Sequence, residues 1–362
     1  MKKLALILSC ATTLASPLAF AQTKWDLPTG YATNTFQTEN VQQFADDVAK
    51  ATGGKLKITV HAGASLYKMP EIKRAVQSGQ TQAGEFILSA YANENPLFGV
   101  DSIPFLATSY SAAQKLYTAS KPATEKLLAD QGLKLLFSVP WPGQSLYSGK
   151  PMKTMDDFKG TKMRAYNPAT TRIAQLVKAQ PVTIQLAELG QALATGAVDN
   201  FLTSSASGVD SKLYEQTKFF YIVNAWLPRN ATVVNKKAFD ALDKATQDAV
   251  VAAGKAAEER GWAASKAKDL AYVKDLTKNG MTTGLASDEI RDGLNKIGDT
   301  MTDDWIKSAG PDGRAIIDAD RTRARGAAGQ DLFRETFPAF AFRVSTVDEV
   351  AVACDGSNGM PA

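Results

Sequence analysis

The residues best suited to chemistry gather around Arg164, in the run Asp-Asp-Phe-Lys-Gly-Thr-Lys-Met-Arg-Ala-Tyr-Asn-Pro-Ala-Thr from Asp156 to Thr170. It reads as a turn, a short strand and the start of a helix. An arginine on a strand offers a rigid fork of N–H donors that fits a carboxylate through two parallel hydrogen bonds. Alone, such an arginine is ordinarily an ion-pair partner. Asn167 can both donate and accept, and equally can cap the helix that begins at Pro168. Trp141 and Trp226 flank two Pro-containing stretches and suit either the walls of a cleft or a buried core. Glu85, Tyr91 and Tyr67 lie near expected strand ends, whereas Lys68 and Arg74 read as solvated charges.

Catalytic chemistry finds little to use. His61 is the one histidine, and the two cysteines, Cys10 and Cys354, lie close to the chain's ends. A zinc site of the usual His/Cys kind is excluded. No Gly-x-Ser-x-Gly elbow accompanies His61, and no phosphate-binding loop occurs. Asp46 and Asp47 are adjacent on a helix and diverge, so they read as a solvated face. No cofactor and no metal are expected. The rival to a binding protein is a periplasmic hydrolase or lyase acting on a carboxylate, which turnover of a bound acid would reveal.

The elements that must position Arg164 belong to an exported chain. Lys2 and Lys3 precede the apolar run Leu4 to Leu8, and Ala19-Phe20-Ala21 precedes Gln22, which reads as a cleavable secretory leader over residues 1–21. Its removal takes two of the 41 Lys and Arg residues and leaves the chain near neutrality against 37 Asp and Glu. That balance implies no nucleic-acid partner. Cys354 would then be the only thiol, so no intramolecular disulfide is expected. The remaining length suffices for two ordinary domains, and a composition 44% hydrophobic and 22% charged is that of a folded globular chain.

Helix and strand patterns alternate along the first part. Thr38 reads as an N-cap, and Val41, Phe44, Ala45 and Val48 recur at helical spacing until Thr52-Gly53-Gly54. Leu56, Ile58 and Val60 alternate with polar residues as a half-buried strand. Helices are expected over Pro70 to Ser78 and within Ser111 to Gln131, and strands over Glu85 to Leu88 and Leu133 to Val139. Such alternation predicts an α/β protein with mostly parallel sheets. Pro140-Trp141-Pro142-Gly143 and Leu227-Pro228-Arg229-Asn230 interrupt the pattern and are expected to be crossings between two lobes. Residues 22–139 with 231–270 would form the first lobe, and 140–230 with 271–317 the second. Between the crossings, strands are expected at Thr161 to Ala165 and Val182 to Ile184, and a Ser/Thr-rich stretch at Asp199 to Gly208. A helical tract from Lys236 to Asn279 is long enough to span both lobes at about 1.5 Å per residue.

The chain resembles the substrate-binding proteins of tripartite ATP-independent periplasmic (TRAP) transporters, of the dicarboxylate-receptor type. The likeness runs from Trp25 to about Ile317 and rests on the order of many short landmarks. These include Phe44-Ala45-Asp46-Asp47-Val48, Thr52-Gly53-Gly54-Lys55-Leu56, Ala75-Val76-Gln77-Ser78-Gly79, Ser102-Ile103-Pro104-Phe105-Leu106, Phe158-Lys159-Gly160 with Arg164, Leu193 to Asp199, and Val233-Val234-Asn235-Lys236-Lys237. The resemblance implies a two-lobed periplasmic binding protein, type II-like, with a long helix across both lobes. It would close on a small organic acid and deliver it to TRAP integral membrane subunits for ion-coupled uptake, as a monomer in the periplasm. Arg164 stands where the family's carboxylate-binding arginine stands. Where many relatives follow the Val-Asp motif with a glycine, an acidic residue and an asparagine, this chain has Asn200-Phe201-Leu202-Thr203-Ser204-Ser205, so Thr203 or Ser204 is expected to supply the polar contact. A hydroxy or sugar acid is favoured, and an aromatic acid would suit the tryptophans. No lysine occurs after Lys307 while arginines follow in quick succession, and with the likeness ending near Ile317, residues 318–362 are expected to lie outside the binding fold as an atypical, disordered tail.

Overall fold

The computed structural model describes residues 22–324. Its first strand, β1 (Thr23–Pro28), pairs in parallel with β2 (Leu56–His61) across helix α1 (Phe36–Ala51). Thr35, rather than Thr38, caps α1: its hydroxyl oxygen accepts from the Thr38 N–H. Helix α2 (Met69–Gln77) leads into β3 (Ala83–Ile87), and α3 (Tyr110–Asp130) into β4 (Leu133–Pro140). The chain then enters a second sheet through β5 (Ser145–Ser148), β6 (Lys162–Ala165), α4 (Pro168–Leu176), β7 (Gln180–Thr183), α5 (Leu186–Ala194), β8 (Asn200–Thr203), α6 (Ser205–Asp210) and β9 (Phe219–Ile222). Strand β10 (Arg229–Asn235) returns to the first sheet and is followed by α7 (Lys236–Asp240), α8 (Lys244–Lys278), β11 (Thr282–Leu285) and the helical run α9 (Asp288–Ala324).

Two lobes result, each with its own sheet. In the first, β3, β10 and β4 lie side by side in that order, and a parallel bridge from Thr29 to Glu85 attaches the β1–β2 pair. The second has the order β11-β9-β5-β8-β6-β7. The expectation of mostly parallel sheets needs correction. Strand β10 is antiparallel to both β3 and β4, and β5 to both β8 and β9. The reason is the crossings: the chain leaves the first lobe on β4 and re-enters it on β10, and enters the second on β5 and leaves it on β9, so as neighbours these strands run in opposite directions. The crossings also bind each other. The Trp141 N–H donates to Pro228 O, Gln144 N–H to Trp226 O, and Ala225 N–H to Gln144 O, all between 2.8 and 2.9 Å.

The first core is built on Leu27, Val41, Phe44, Val48, Ile72, Phe86 and Val233, and the second on Leu146, Phe158, Met163, Ile173, Leu202 and Trp226. The tract expected as one helix is two. Asp243 starts α8 afresh, its carboxylate accepting from the Thr246 N–H at 2.9 Å. Helix α8 packs on α1 and β4 in the first lobe and on α6 and β11 in the second. Its buried stripe is small: Ala253, Gly254, Ala257, Gly261 and Ser265. A Cβ on Gly261 would stand 2.4 Å from a Val139 methyl, so only glycine lets the helix lie this close to β4. Helix α9 breaks at Gly310 (φ 66°, ψ −150°), just before Pro311, and buries Trp305, Ile306, Ile316 and Ile317 against Leu97, Val100 and Leu116. It runs to Ala324, so the segment expected to leave the fold after Ile317 begins as helix. The rest of that segment and the leader lie outside the described residues.

Candidate functional site

A cavity of about 280 Å³ lies between the lobes. The first lobe contributes Gly30, Tyr31, Met69 and Ile87. From the crossings come Trp141, Gln144 and Pro228, and the second lobe supplies Arg164, Tyr166, Leu186, Thr203 and Ser207. The second-lobe residues sit where the fold puts a ligand: Arg164 and Thr203 close the carboxyl ends of β6 and β8, and Leu186 and Ala187 open helix α5. The first N–H groups of a helix have no partner inside it and carry the positive end of its dipole.

Arg164 is the centre of the site. Its side chain is 3% exposed. Its Nε donates to Ile184 O at 2.9 Å, and its carbon Cζ lies 4.8 Å from the centre of the Tyr166 ring. Among the described residues its Nη1 has no hydrogen-bond partner, and no carboxylate pairs with the guanidinium. Burial lowers its pKa to about 10, against a smaller opposite effect from the Tyr166 and Tyr31 hydroxyls. A buried cation without an anion is costly, so the arrangement waits for a negative partner.

The first-lobe wall is, by contrast, fully bonded. Glu85 accepts from the Thr29 hydroxyl at 2.6 Å and from the Asn230 side-chain amide at 3.0 Å. The Asn230 oxygen accepts from the Trp141 indole N–H at 2.9 Å and from the Tyr31 hydroxyl at 3.1 Å. Burial raises the pKa of Glu85, and the two donors hold it back. Trp141 is gripped by Tyr31 and Phe36, with ring centres 4.9 and 5.3 Å away.

Of the residues singled out in the sequence, Arg164, Trp141 and Thr203 line the cavity. Ser204 instead caps α6 and bonds Ser207, and Ser207 is the serine that reaches the cavity. Asn167 caps α4 and donates across the cleft to the Ser89 hydroxyl at 2.9 Å. Trp226 is buried in the second core beside Tyr166, its indole N–H acting on that hydroxyl electrostatically without hydrogen-bond geometry. Glu85 lies one layer behind the wall. Tyr91 props Met69, its hydroxyl donating to Met69 O at 3.2 Å, and Tyr67 packs on the first core outside the cavity. Lys68, read as a solvated charge, stands at the cavity's edge. Tyr31, Gln144 and Tyr166 were not singled out. Tyr166 lies in the bend between β6 and α4, just past the strand's end, where strand alternation no longer says which way a side chain faces. His61 bonds Asp26 at 2.7 Å and does not line the cavity. Among the described residues no cluster of His, Cys, Asp and Glu could hold a metal ion, and no helix is long and apolar enough to cross a membrane.

The family model of bacterial extracellular solute-binding protein, family 7, matches residues 29–308. The chain belongs to this family. Its members are binding receptors for transport rather than enzymes. A solute-binding protein of Albidiferax ferrireducens is 28% identical over 75% of this chain and 83% of its own length. The 2,3-diketo-L-gulonate-binding periplasmic protein of Escherichia coli is 26% identical over 89% of this chain and 90% of its own. Among solved structures, an extracytoplasmic solute receptor of Bordetella pertussis binding pyroglutamic acid is 54% identical, with a TM-score of 0.82, over 83% of this chain and all of that one. A marine metagenome TRAP solute-binding protein specific for pyroglutamate is 43% identical, with the same TM-score, over 83% and 99%. The two-lobed fold of TRAP solute receptors is therefore the fold of this chain.

Proposed function

We propose that the chain is a periplasmic receptor that captures pyroglutamate, or a cyclic monocarboxylate much like it, and passes it to TRAP membrane subunits for ion-coupled uptake. The observation that carries this reading is the buried Arg164 guanidinium with Nη1 unpartnered. Arg164 is the buried cation of the lining, whereas Lys68 is exposed to solvent at its edge, so the site calls for one buried carboxylate. The walls around it, Trp141, Met69, Ile87, Leu186 and Pro228, are largely apolar and suit a compact ring. A sugar acid would bring many hydroxyls, each needing a partner in a wall that is mostly carbon. The relatives at 54% and 43% identity, which bind pyroglutamate, support the same choice. This shifts the expectation from a hydroxy or sugar acid to a lactam acid. The leader over residues 1–21 would deliver the chain to the periplasm, where it works as a monomer.

Calorimetry on the purified chain tests this directly. Pyroglutamate should bind far more tightly than glucuronate, gulonate or a four-carbon dicarboxylate, and should raise the melting temperature by mass action. Saturable binding of a sugar acid with none of pyroglutamate would overturn it.

A further inference from the structure

The donors and acceptors around the cavity can be assigned without reference to how an amide happens to be drawn. An indole N–H only donates, so the Asn230 side-chain atom 2.9 Å from the Trp141 nitrogen is the oxygen. The Tyr31 hydroxyl bonds that same oxygen at 3.1 Å and must give it its proton. The Asn230 nitrogen is thereby turned to Glu85, which accepts. Tyr31 has then no proton left, and its oxygen can only accept; the Trp141 indole N–H also stands near that oxygen, but its hydrogen bond goes to Asn230. That hydroxyl lies within electrostatic range of both Arg164 and Tyr166, which line the same cavity. The same logic holds across the cleft. The Gln144 nitrogen donates to the Pro142 carbonyl at 3.0 Å, which turns its oxygen to the Tyr166 hydroxyl at 3.3 Å, so that proton is spent as well.

We infer that Tyr31 is a specificity residue that selects ligands carrying a hydrogen-bond donor next to their carboxylate, and that Asn230 and Glu85 are positioning residues that fix its polarity. This rests on the reading of Arg164 as the carboxylate site and adds to it what the neighbouring atom of the ligand must be. In pyroglutamate the ring N–H is attached to the carbon that bears the carboxylate, so a molecule anchored on Arg164 carries a donor within reach of the first-lobe wall. A ligand with an oxygen at that position would set lone pair against lone pair between largely apolar walls, where an unmet acceptor is costly.

The deciding comparison is pyroglutamate against the matching lactone acid, in which a ring oxygen replaces the N–H and nothing else changes. The intact chain should prefer the lactam by about tenfold to a hundredfold. Tyr31→Phe should bring the two within a few-fold, by weakening the lactam and relieving the lactone, with the Arg164 contact untouched in both. Glu85→Gln, which keeps an acceptor for Asn230, should retain the preference, whereas Glu85→Leu should erode it in a protein that still binds the lactone. Equal affinity of the intact chain for lactam and lactone would overturn the inference, whatever the variants do. An unchanged ratio in Tyr31→Phe would overturn it too. If pyroglutamate does not bind the intact chain at all, the proposed function falls and this inference with it, a different result from equal binding of both acids.

Discussion

The two walls of the cleft use polar groups in opposite ways. On the first-lobe side Glu85, Thr29, Asn230, Tyr31 and Trp141 form a closed set in which each buried donor has an acceptor. On the second-lobe side Arg164 Nη1 and the Trp226 indole N–H are buried without one. A satisfied network is rigid and stabilises the lobe it belongs to. An unsatisfied cation lowers the stability of the empty protein, a cost that an anionic ligand would relieve. One wall is thus a template and the other a trap, and a single substitution should separate the two by moving either stability or affinity.

The largest effect is expected at Arg164. Arg164→Ala should cost roughly 2 to 5 kcal/mol of affinity, because the ligand's carboxylate would be buried without a charge partner. Arg164→Lys should recover little, since an ammonium cannot make the two parallel bonds. The melting temperature of the empty protein should fall far less than the affinity, because the buried charge that is lost gives up only the Nε bond to Ile184 O and the Tyr166 contact. Calorimetry with near-parental affinity in both variants would remove Arg164 from the site.

Asn230→Leu attacks the template, and there the ranking should reverse. It strips the Tyr31 hydroxyl and the Trp141 N–H of an acceptor and Glu85 of a donor. Stability should drop by roughly 2 to 4 kcal/mol, as expected when buried polar groups lose their partners. Urea unfolding checks this. A loss no larger than that of an exposed substitution would mean that water or another residue takes over the bonds.

Asp269 tests what stands behind the trap. It lies on α8, accepts from the Ser205 hydroxyl of α6 at 2.8 Å, and has Tyr110 and Tyr147 within electrostatic range. Burial lifts its pKa from 3.8 to about 6, with the Ser205 bond opposing. A carboxyl raised in this way binds its proton more tightly in the folded state. The stability it contributes is complete below the unfolded value and is lost as pH rises through about 6. Asp269→Asn keeps the acceptor and removes the titration. Relative to the parent, it should gain up to roughly 3 kcal/mol above neutrality and nothing near pH 4. A pH-independent difference in melting temperature would show that Asp269 does not titrate in this window.

How far the sequence reaches follows the same division. Arg164 is legible because it belongs to a local pattern, a strand ending in a helix start, within a set of ordered family landmarks. The first crossing is legible because Pro140 to Gly143 interrupts a regular alternation, and the connecting segment falls at 141–144; the second lies at 223–228, so the expected Leu227 to Asn230 is displaced, with Arg229 and Asn230 already in β10. Tyr31 and Glu85 acquire their roles only through Asn230, which is 199 residues from Tyr31 and 145 from Glu85. No local periodicity carries such information. Antiparallel β5 and β10 were missed for a related reason: strand direction follows from which neighbours the crossings deliver, not from the residues of the strand. Asn167 was read as either ligand contact or cap, and its bond to Ser89 depends on how two lobes meet.

That bond gives the smallest test, because it joins the two walls. Asn167 donates to Ser89 at 2.9 Å while its oxygen accepts from the Thr170 N–H at 2.8 Å and starts α4. Asn167→Ser keeps an effective N-cap but cannot reach across the cleft. If the lobes separate in the empty protein about the crossings, the Ser89 bond exists only in the closed form and adds to affinity through the closed population. Its loss should weaken binding about fivefold, the worth of roughly one buried hydrogen bond. Stability of the empty protein should be unchanged. Small-angle scattering should then show the parental contraction on pyroglutamate addition, displaced to higher ligand concentration. A variant with parental affinity would mean that the bond persists, or is equally well replaced by water, in the open form, and the contact would then belong to the scaffold rather than to closure.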